Sequence, residues 1–279
     1  MESKFWRVAD FDRLECLRVT GSRHCFPRHF HETYVIEVVE EGRNEFWCDG
    51  HIYCAEPGDI IVIHPGDIHT GYPAGQTELS YRAFYPSRNL MASTQRQLFG
   101  NETVPRFRSP VVRDRRLARM FRKAHILMEH SAIKIEAQSL LILALAELFK
   151  RHSDPKMRSR NNEAPSVALN RVQPALDFVT EKYYENVSLT ELSTFCGLSE
   201  YHFLRTFKQT TGIAPYEYVI ATRVEESRKL LSLGMSIAEA AVRTGFCDQS
   251  HLNRHFKRIL GITPGKYIGT DPTFDSMRL

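Results

Sequence analysis

The 279-residue sequence has no apolar stretch long enough to span a bilayer. Its longest, Leu140–Phe149, is interrupted by Glu147 and is far short of the roughly 20 residues that a membrane helix needs. The opening MESKFWRVADFDRLE is charged and holds no apolar core ahead of a cleavage site, so no secretory leader is expected there. The six cysteines (Cys16, Cys25, Cys48, Cys54, Cys196 and Cys247) are scattered and include no C-x-x-C pair. Together these absences predict free thiols in a reducing cytoplasm and no membrane partner. Glycine and proline, 15 and 13 residues, are too few for a collagen-like or low-complexity chain. What remains is ordinary globular composition with room for two domains.

Net charge is only +4, but it is unevenly spread. Residues 1–104 hold 10 basic and 15 acidic side chains, residues 105–160 hold 14 and 5, and the remainder holds 13 of each. A mildly basic total permits nucleic-acid binding without requiring it.

Residues 1–104 read as short strands separated by turns. Tyr34–Val39 is rich in β-branched residues, Asp49-Gly50 signals a two-residue hairpin, and Ile60–Ile63 is an apolar strand closed by Pro65-Gly66-Asp67. Leu79–Tyr85 supplies a further strand. Such spacing predicts a small barrel or sandwich. Over residues 105–151 the period becomes helical. Leu117, Met120, Phe121, Ala124, Leu127 and Met128 share one face, with Arg115, Arg116, Arg119, Arg122 and Lys123 opposite. A second helix over about 133–150 is apolar nearly all round and needs cover, from its own barrel, from a second copy, or from both. Residues 152–169 are polar with two prolines and read as a linker. Residues 170–279 read as helical, so the fold class expected is α+β in two domains.

The last hundred residues contain a duplication. Ser188–Leu198 aligns with Ser236–Phe246 at an offset of 48. Leu204–Lys208 aligns with Asn253–Lys257, and Gly212–Pro215 with Gly261–Pro264, at an offset of 49. Each copy has a short helix, a glycine turn, and a second helix with one apolar face. The exposed faces would carry Tyr201, Leu204, Arg205 and Lys208 in the first copy, and Gln249, Ser250, His251, Asn253, Arg254 and Lys257 in the second. Arginine, glutamine, asparagine and serine are the side chains able to pair with base edges or phosphates. Residues 215–233 between the copies predict one helix, a stiff spacer that would let the two units enter successive major grooves about 34 Å apart.

Residues 170–268 resemble the double helix-turn-helix domain of AraC/XylS-type bacterial transcription regulators. The matching signature runs from Ser236-Ile-Ala-Glu-Ala-Ala through Ser250-His-Leu-Asn-Arg-His-Phe-Lys257 and Gly261-Ile-Thr-Pro264 to Tyr267. The resemblance implies that Tyr201, Leu204 and Arg205 face bases in one groove, and Gln249, Ser250, His251, Asn253 and Arg254 in the next. Leu204 departs in kind, since an apolar side chain meets only a thymine methyl. His29-Phe-His31 with Pro65-Gly66-Asp67-Ile68-His69 resembles the two motifs of the cupin barrel, an order of domains that many of these regulators share.

The barrel would then hold a small organic effector, with His29, His31, Glu37, His69, Tyr81 and Arg82 as pocket residues and His64 as an additional polar group. An unbulged strand would put His29, His31, Thr33, Val35, Glu37 and Val39 on one face. A metal held by His29, His31 and His69 is the alternative, as are histidines with purely structural roles; Glu37 stands farther from His31 than the metal-binding motif wants. The expectation is an effector-responsive regulator and activator, not an enzyme, working as a homodimer on double-stranded promoter DNA with RNA polymerase. The rivals are a metal-dependent cupin enzyme and a constitutive regulator whose barrel only dimerises.

Overall fold

A computed structural model describes residues 2–75, 77–100, 105–130, 134–154 and 167–269. They form two compact units: Met1–Cys25, His31–Asp67 and Gly71–Asn162 in the first, and Phe26–Phe30, Ile68–Thr70 and Glu163–Leu279 in the second. Most of the expected linker, residues 155–166, lies outside the described residues.

The strands are β1 (Glu2–Val8), β2 (Leu14–Ser22), β3 (Phe26–His29), β4 (Val35–Glu41), β5 (Asn44–Cys48), β6 (His51–Ala55), β7 (Ile60–Ile63), β8 (His69–Pro73), β9 (Leu79–Tyr85) and β10 (Val111–Val112). Six form one sheet in the order β1-β2-β9-β4-β7-β10, and four form another, β3-β8-β5-β6. The Asp49-Gly50 turn joins β5 to β6 as its sequence predicts, both residues taking positive φ. The predicted unbroken strand from His29 to Val39 does not form. The chain leaves β3 after His29 and re-enters a sheet only at Val35, so the alternation of those six side chains is interrupted.

Register decides which side chain faces what. Ile36 pairs with Phe84 and Val62, and Val38 with Arg82 and Ile60. This face is covered by α2 (Arg115–His130) and α3 (Lys134–His152), whose Leu117, Phe121, Leu141, Leu145 and Leu148 complete the main core. The amphipathic pattern of α2 is thus satisfied within the same unit, and α3 packs along it. The other face carries Glu37, Val39, Ile61, Tyr81 and Ala83, all buried. A helix that strand-based reading passes over, α1 (Arg88–Phe99), follows β9. Ser87 caps it and Gly100 ends it in the left-handed region.

The second unit contains α4 (Val167–Lys182), α5 (Leu189–Phe195), α6 (Glu200–Thr211), α7 (Pro215–Ser232), α8 (Ile237–Arg243), α9 (Gln249–Leu260) and α10 (Pro264–Ile268). Local chemistry sets these boundaries. Ser188 and Glu191 form a capping box on α5, Ser199 caps α6, Ser236 caps α8 and Asp248 caps α9. Pro215 and Pro264 open their helices at the first turn. Val172, Ala175 and Val179 of α4 pack with Leu192, Phe203, Phe207 and Val219, so the first helix pair is closed by α4 as well as by its own hairpin. Among the described residues no helix is long and apolar enough to cross a membrane.

Candidate nucleic-acid interface and barrel ligand site

The duplicated units fold as two helix pairs, α5–α6 and α8–α9, joined by the continuous α7 of 18 residues, about 27 Å long. In α6 the apolar face buries Phe203 and Phe207 completely, which turns Tyr201, Leu204, Arg205 and Lys208 outward. Tyr201 is 69% exposed and Leu204 40%, large values for side chains of this size, consistent with a face kept for a partner. In α9, Leu252, Phe256 and Ile259 are buried, leaving Gln249, Ser250, Arg254 and Lys257 exposed and His251 and Asn253 half-buried. Among the described residues Arg205, Lys208, Arg254 and Lys257 form no ion pair within the chain, so their charge is available to phosphate or base.

His251 is not a free group. Its Nε2 lies 3.1 Å from Nε2 of His255 one turn later, and both rings meet Phe246. Burial, with His251, Arg258 and Arg254 nearby, pushes His255 down to about 4. His255 is therefore neutral at physiological pH and holds the His251 ring. The i, i+4 spacing of two histidines on one helix was the sequence signal for this pair.

Three further features were missed in the sequence. Arg223 of α7 donates from Nε to the Tyr183 carbonyl (2.6 Å), from Nη1 to that of Gly245 (2.7 Å) and from Nη2 to that of Glu185 (2.7 Å). One guanidinium thus ties the loop before the first helix pair to the turn inside the second. Glu225 and Arg228 form a buried pair on α7 at 2.6 Å. Ser227 is hydrogen-bonded to Thr244 at 2.7 Å, fixing α7 to the end of α8. Their common signal is polar side chains on the inward face of an otherwise apolar helix stripe.

In the β-rich part His29, His31 and His69 are all buried, His31 in the first unit and His29 and His69 in the second. His29 and His69 sit on the adjacent strands β3 and β8, and their ring centroids are 4.4 Å apart. His29 Nδ1 lies 2.8 Å from the Pro27 carbonyl, which can only accept, so Nδ1 carries the proton and Nε2 is left as a lone-pair donor. That is the orientation by which a backbone carbonyl prepares a histidine for a divalent transition ion. Glu37 is not a member of this group.

Glu37 and Tyr81 nonetheless share a buried face. Asn44 Nδ2 donates to Glu37 Oε1 at 2.8 Å, linking β4 to β5 of the other sheet, and burial pushes the Glu37 carboxyl up to about 7 despite that hydrogen bond. Burial also drives the Tyr81 hydroxyl well above its usual value, with Tyr85 and Glu37 adding to the effect. His31 meets Tyr85 edge-on at 5.8 Å.

Arg82 does not join that face, contrary to expectation. Strand alternation from Tyr81 turns it to the helix-covered side, where Nε meets Glu40 (3.0 Å) and Nη1 meets Glu129 (2.7 Å) and His125 (3.1 Å). Arg18 stands directly opposite it across β2 and β9. Two like charges so placed repel, and the buried Glu129 of α2 neutralises both, at 2.9 Å from Arg18. His64 is likewise structural. Its Nδ1 donates to Asp67 at 3.0 Å and its Nε2 accepts from the Phe107 amide at 2.9 Å. None of the six cysteines is in a disulfide, and Cys48 and Cys54 are not cross-strand partners, since Cys48 pairs with His51 and Cys54 with Glu45.

An inward-facing β-domain followed by two linked helix-turn-helix units defines a ligand-binding transcription regulator. The comparisons agree. Residues 13–145 match the family model described as AraC-like ligand binding domain, and residues 192–269 match one described as a helix-turn-helix domain. The chain is 33% identical over 239 residues to the HTH-type transcriptional regulator YbfI of Bacillus subtilis (strain 168), covering 86% of each protein. It is 24% identical over 249 residues to the transcriptional activator RhaS of Klebsiella pneumoniae (strain 342), again covering 86% of each. Among solved structures, ToxT from Vibrio cholerae O395 superposes with a TM-score of 0.53 at 12% identity, over 96% of this chain and 97% of that one, a likeness of fold. The chain belongs to the AraC-type HTH transcriptional regulators.

Proposed function

We propose that this protein is a cytoplasmic activator that reads promoter DNA through α6 and α9 and is switched by a small organic molecule bound among His29, His31, His69, Glu37 and Tyr81. The observation that carries the reading is the duplication itself: two capped helix pairs, each with a buried aromatic face and an outward face of unpaired cationic and amide side chains, on one continuous spacer helix. Effector binding would favour one arrangement of the protein through its differential affinity for that state. Homodimerisation fits the outer side of α3, where Ile135 is 71% and Leu143 57% exposed although the inner side is fully covered. RNA polymerase is the partner an activator requires.

Selection of bound sequences from genomic DNA, followed by the same selection with Arg254→Ala, tests the DNA reading. The variant is expected to lose about 1–3 kcal/mol at the selected site and to relax preference at one base pair. Unchanged affinity and preference would remove Arg254 from the interface. In the barrel, His31→Ala is expected to abolish the response to a ligand found by thermal-shift screening while basal DNA binding persists. A response with an unaltered midpoint would place the pocket elsewhere.

The His29 ring, held at Nδ1 by the Pro27 carbonyl, favours one second reading, in which the ligand is a divalent transition ion held by His29, His31 and His69. Metal analysis of the purified protein, with and without His31→Ala, separates the two.

A further inference from the structure

The first unit contains a second cleft, on the helix-covered side of the six-stranded sheet and away from the face of Glu37 and Tyr81. Its volume is about 660 Å³, within the range that encloses metabolite-sized ligands. Arg115, Arg119 and Arg122 of α2 line one wall, and the end of β4 with Pro57-Gly58 lines the other. The three arginines fall at i, i+4 and i+7, one face of the helix.

The electrostatics of this cleft are not balanced internally. Arg122 is bonded to Glu40 at 2.6 Å, and Glu40 is also bonded to Arg82 at 3.0 Å, so one carboxylate serves two guanidinium groups. Glu41, the other acid in the lining, accepts from Ser80 at 3.1 Å. Arg115 and Arg119 meet no carboxylate among the described residues; Arg119 Nε is held by the Arg115 carbonyl of its own helix at 3.3 Å. Asp114 caps the first turn of α2, accepting from the Leu117 amide at 3.0 Å, so the helix dipole is already met and the positive character of the cleft rests on the arginine side chains themselves. An exposed arginine row on a convex helix would be a solvated face. Here it forms the wall of a concavity whose other wall holds Val38 and Pro57, where fields focus and guanidinium forks can close on an anion.

We infer that this cleft binds a small organic dianion, a phosphate ester or a dicarboxylate, bridged by Arg115 and Arg119, as a regulatory site separate from the barrel ligand site. Phosphate and paired carboxylates share the chemistry that the forks recognise, and two probes separate them: inorganic pyrophosphate and citrate.

Each probe is titrated calorimetrically into the full chain, into Arg115→Gln/Arg119→Gln, into Arg116→Gln and into His31→Ala. Arg116 shares the helical turn but does not line the cleft. At least one probe is expected to bind the wild-type chain, with at least a tenfold weaker constant in the double variant and less than a twofold change in Arg116→Gln and His31→Ala. The three substituted arginines are exposed, so the thermal midpoint of those variants without ligand should not move. Absence of binding by both probes overturns the site. Equal weakening by Arg116→Gln also overturns it, because that marks a diffuse basic surface. So does a double variant that binds the probe normally but loses affinity for duplexes of any sequence, which would assign the arginines to DNA phosphates. Loss of binding in His31→Ala alone would place the anion in the barrel. Failure of the barrel reading leaves the double-variant result unaffected.

Discussion

Gly245→Ala is expected to destabilise the DNA-binding unit by about 3–5 kcal/mol, whereas the same change at Gly197, its repeat counterpart, should cost about 1 kcal/mol. Both glycines occupy the turn of a helix pair with positive φ, +63° at Gly197 and +80° at Gly245. Alanine is strained by backbone conformation at either place. The surroundings then separate them. A Cβ on Gly197 meets nothing within 4 Å. A Cβ on Gly245 would stand 2.6 Å from the Tyr184 carbonyl oxygen and 3.0 Å from the Arg223 guanidinium carbon. Neither can yield cheaply, since the first is backbone and the second is held by three carbonyls. Relief requires the second helix pair to move away from the loop before α5. Calorimetry of the full chain reads the difference directly, and DNA binding should fall with it because the spacing of the two recognition helices depends on that junction. If Gly245→Ala proves no more damaging than Gly197→Ala, the turn is not wedged against Tyr184.

That contrast also shows what a sequence discloses. The duplication made both glycines visible and assigned both to the same turn. Their different reasons for being glycine came from packing between the copies, which no period or motif encodes. The same holds for Arg223, which looks like a surface arginine on an amphipathic helix until the carbonyls of Tyr183, Glu185 and Gly245 converge on it. Helix ends were legible at Ser199, Asp248, Gly212 and Gly261 because caps are local and act within a few residues of their own position. The exposed faces of α6 and α9 followed from the 3.6-residue period for the same reason. In the β-rich part the three histidines were singled out by the resemblance of their two motifs to those of the cupin barrel, not by composition or period. Arg82 was misplaced although alternation alone, counted from Tyr81, turns it away. A chemically attractive side chain outweighed the period-two rule. Its true partner, Glu129, lies 47 residues away on a helix, a pairing that only tertiary structure reveals.

Glu37→Gln is expected to stabilise the β-rich unit at pH 8 by about 3 kcal/mol and to leave its stability at pH 4.5 nearly unchanged. Burial raises the Glu37 carboxyl to about 7, against an ordinary value near 4.5. Between those values the folded chain holds a proton that the unfolded chain has released. The associated stability is fully present below about pH 4.5 and is lost as pH rises towards 7. Glutamine keeps an oxygen to accept the Asn44 hydrogen bond and has no charge to desolvate, so the loss disappears. His125 acts in the opposite sense. Burial first, then Arg82, lowers it to about 3, so the unfolded chain takes up a proton below about 6.5 that the fold refuses. Its stability is present above 6.5 and is lost as pH falls. From about 4.5 to 6.5 the two slopes offset one another in the wild-type chain. In Glu37→Gln only the His125 slope remains, and stability should climb through that window and then level off. Thermal midpoints of the β-rich transition at half-unit steps from pH 4.5 to 8.5 test both. A wild-type curve that stays level from 6.5 to 8, or a variant curve parallel to it, would mean that Glu37 ionises freely inside the fold. The functional consequence follows from the same protonation. At near-neutral pH this carboxyl is partly an O–H donor on the face proposed to hold the ligand, so an effector accepting from it should bind more weakly as pH rises past 7, and Glu37→Gln, whose amide N–H can still donate, should remove that dependence.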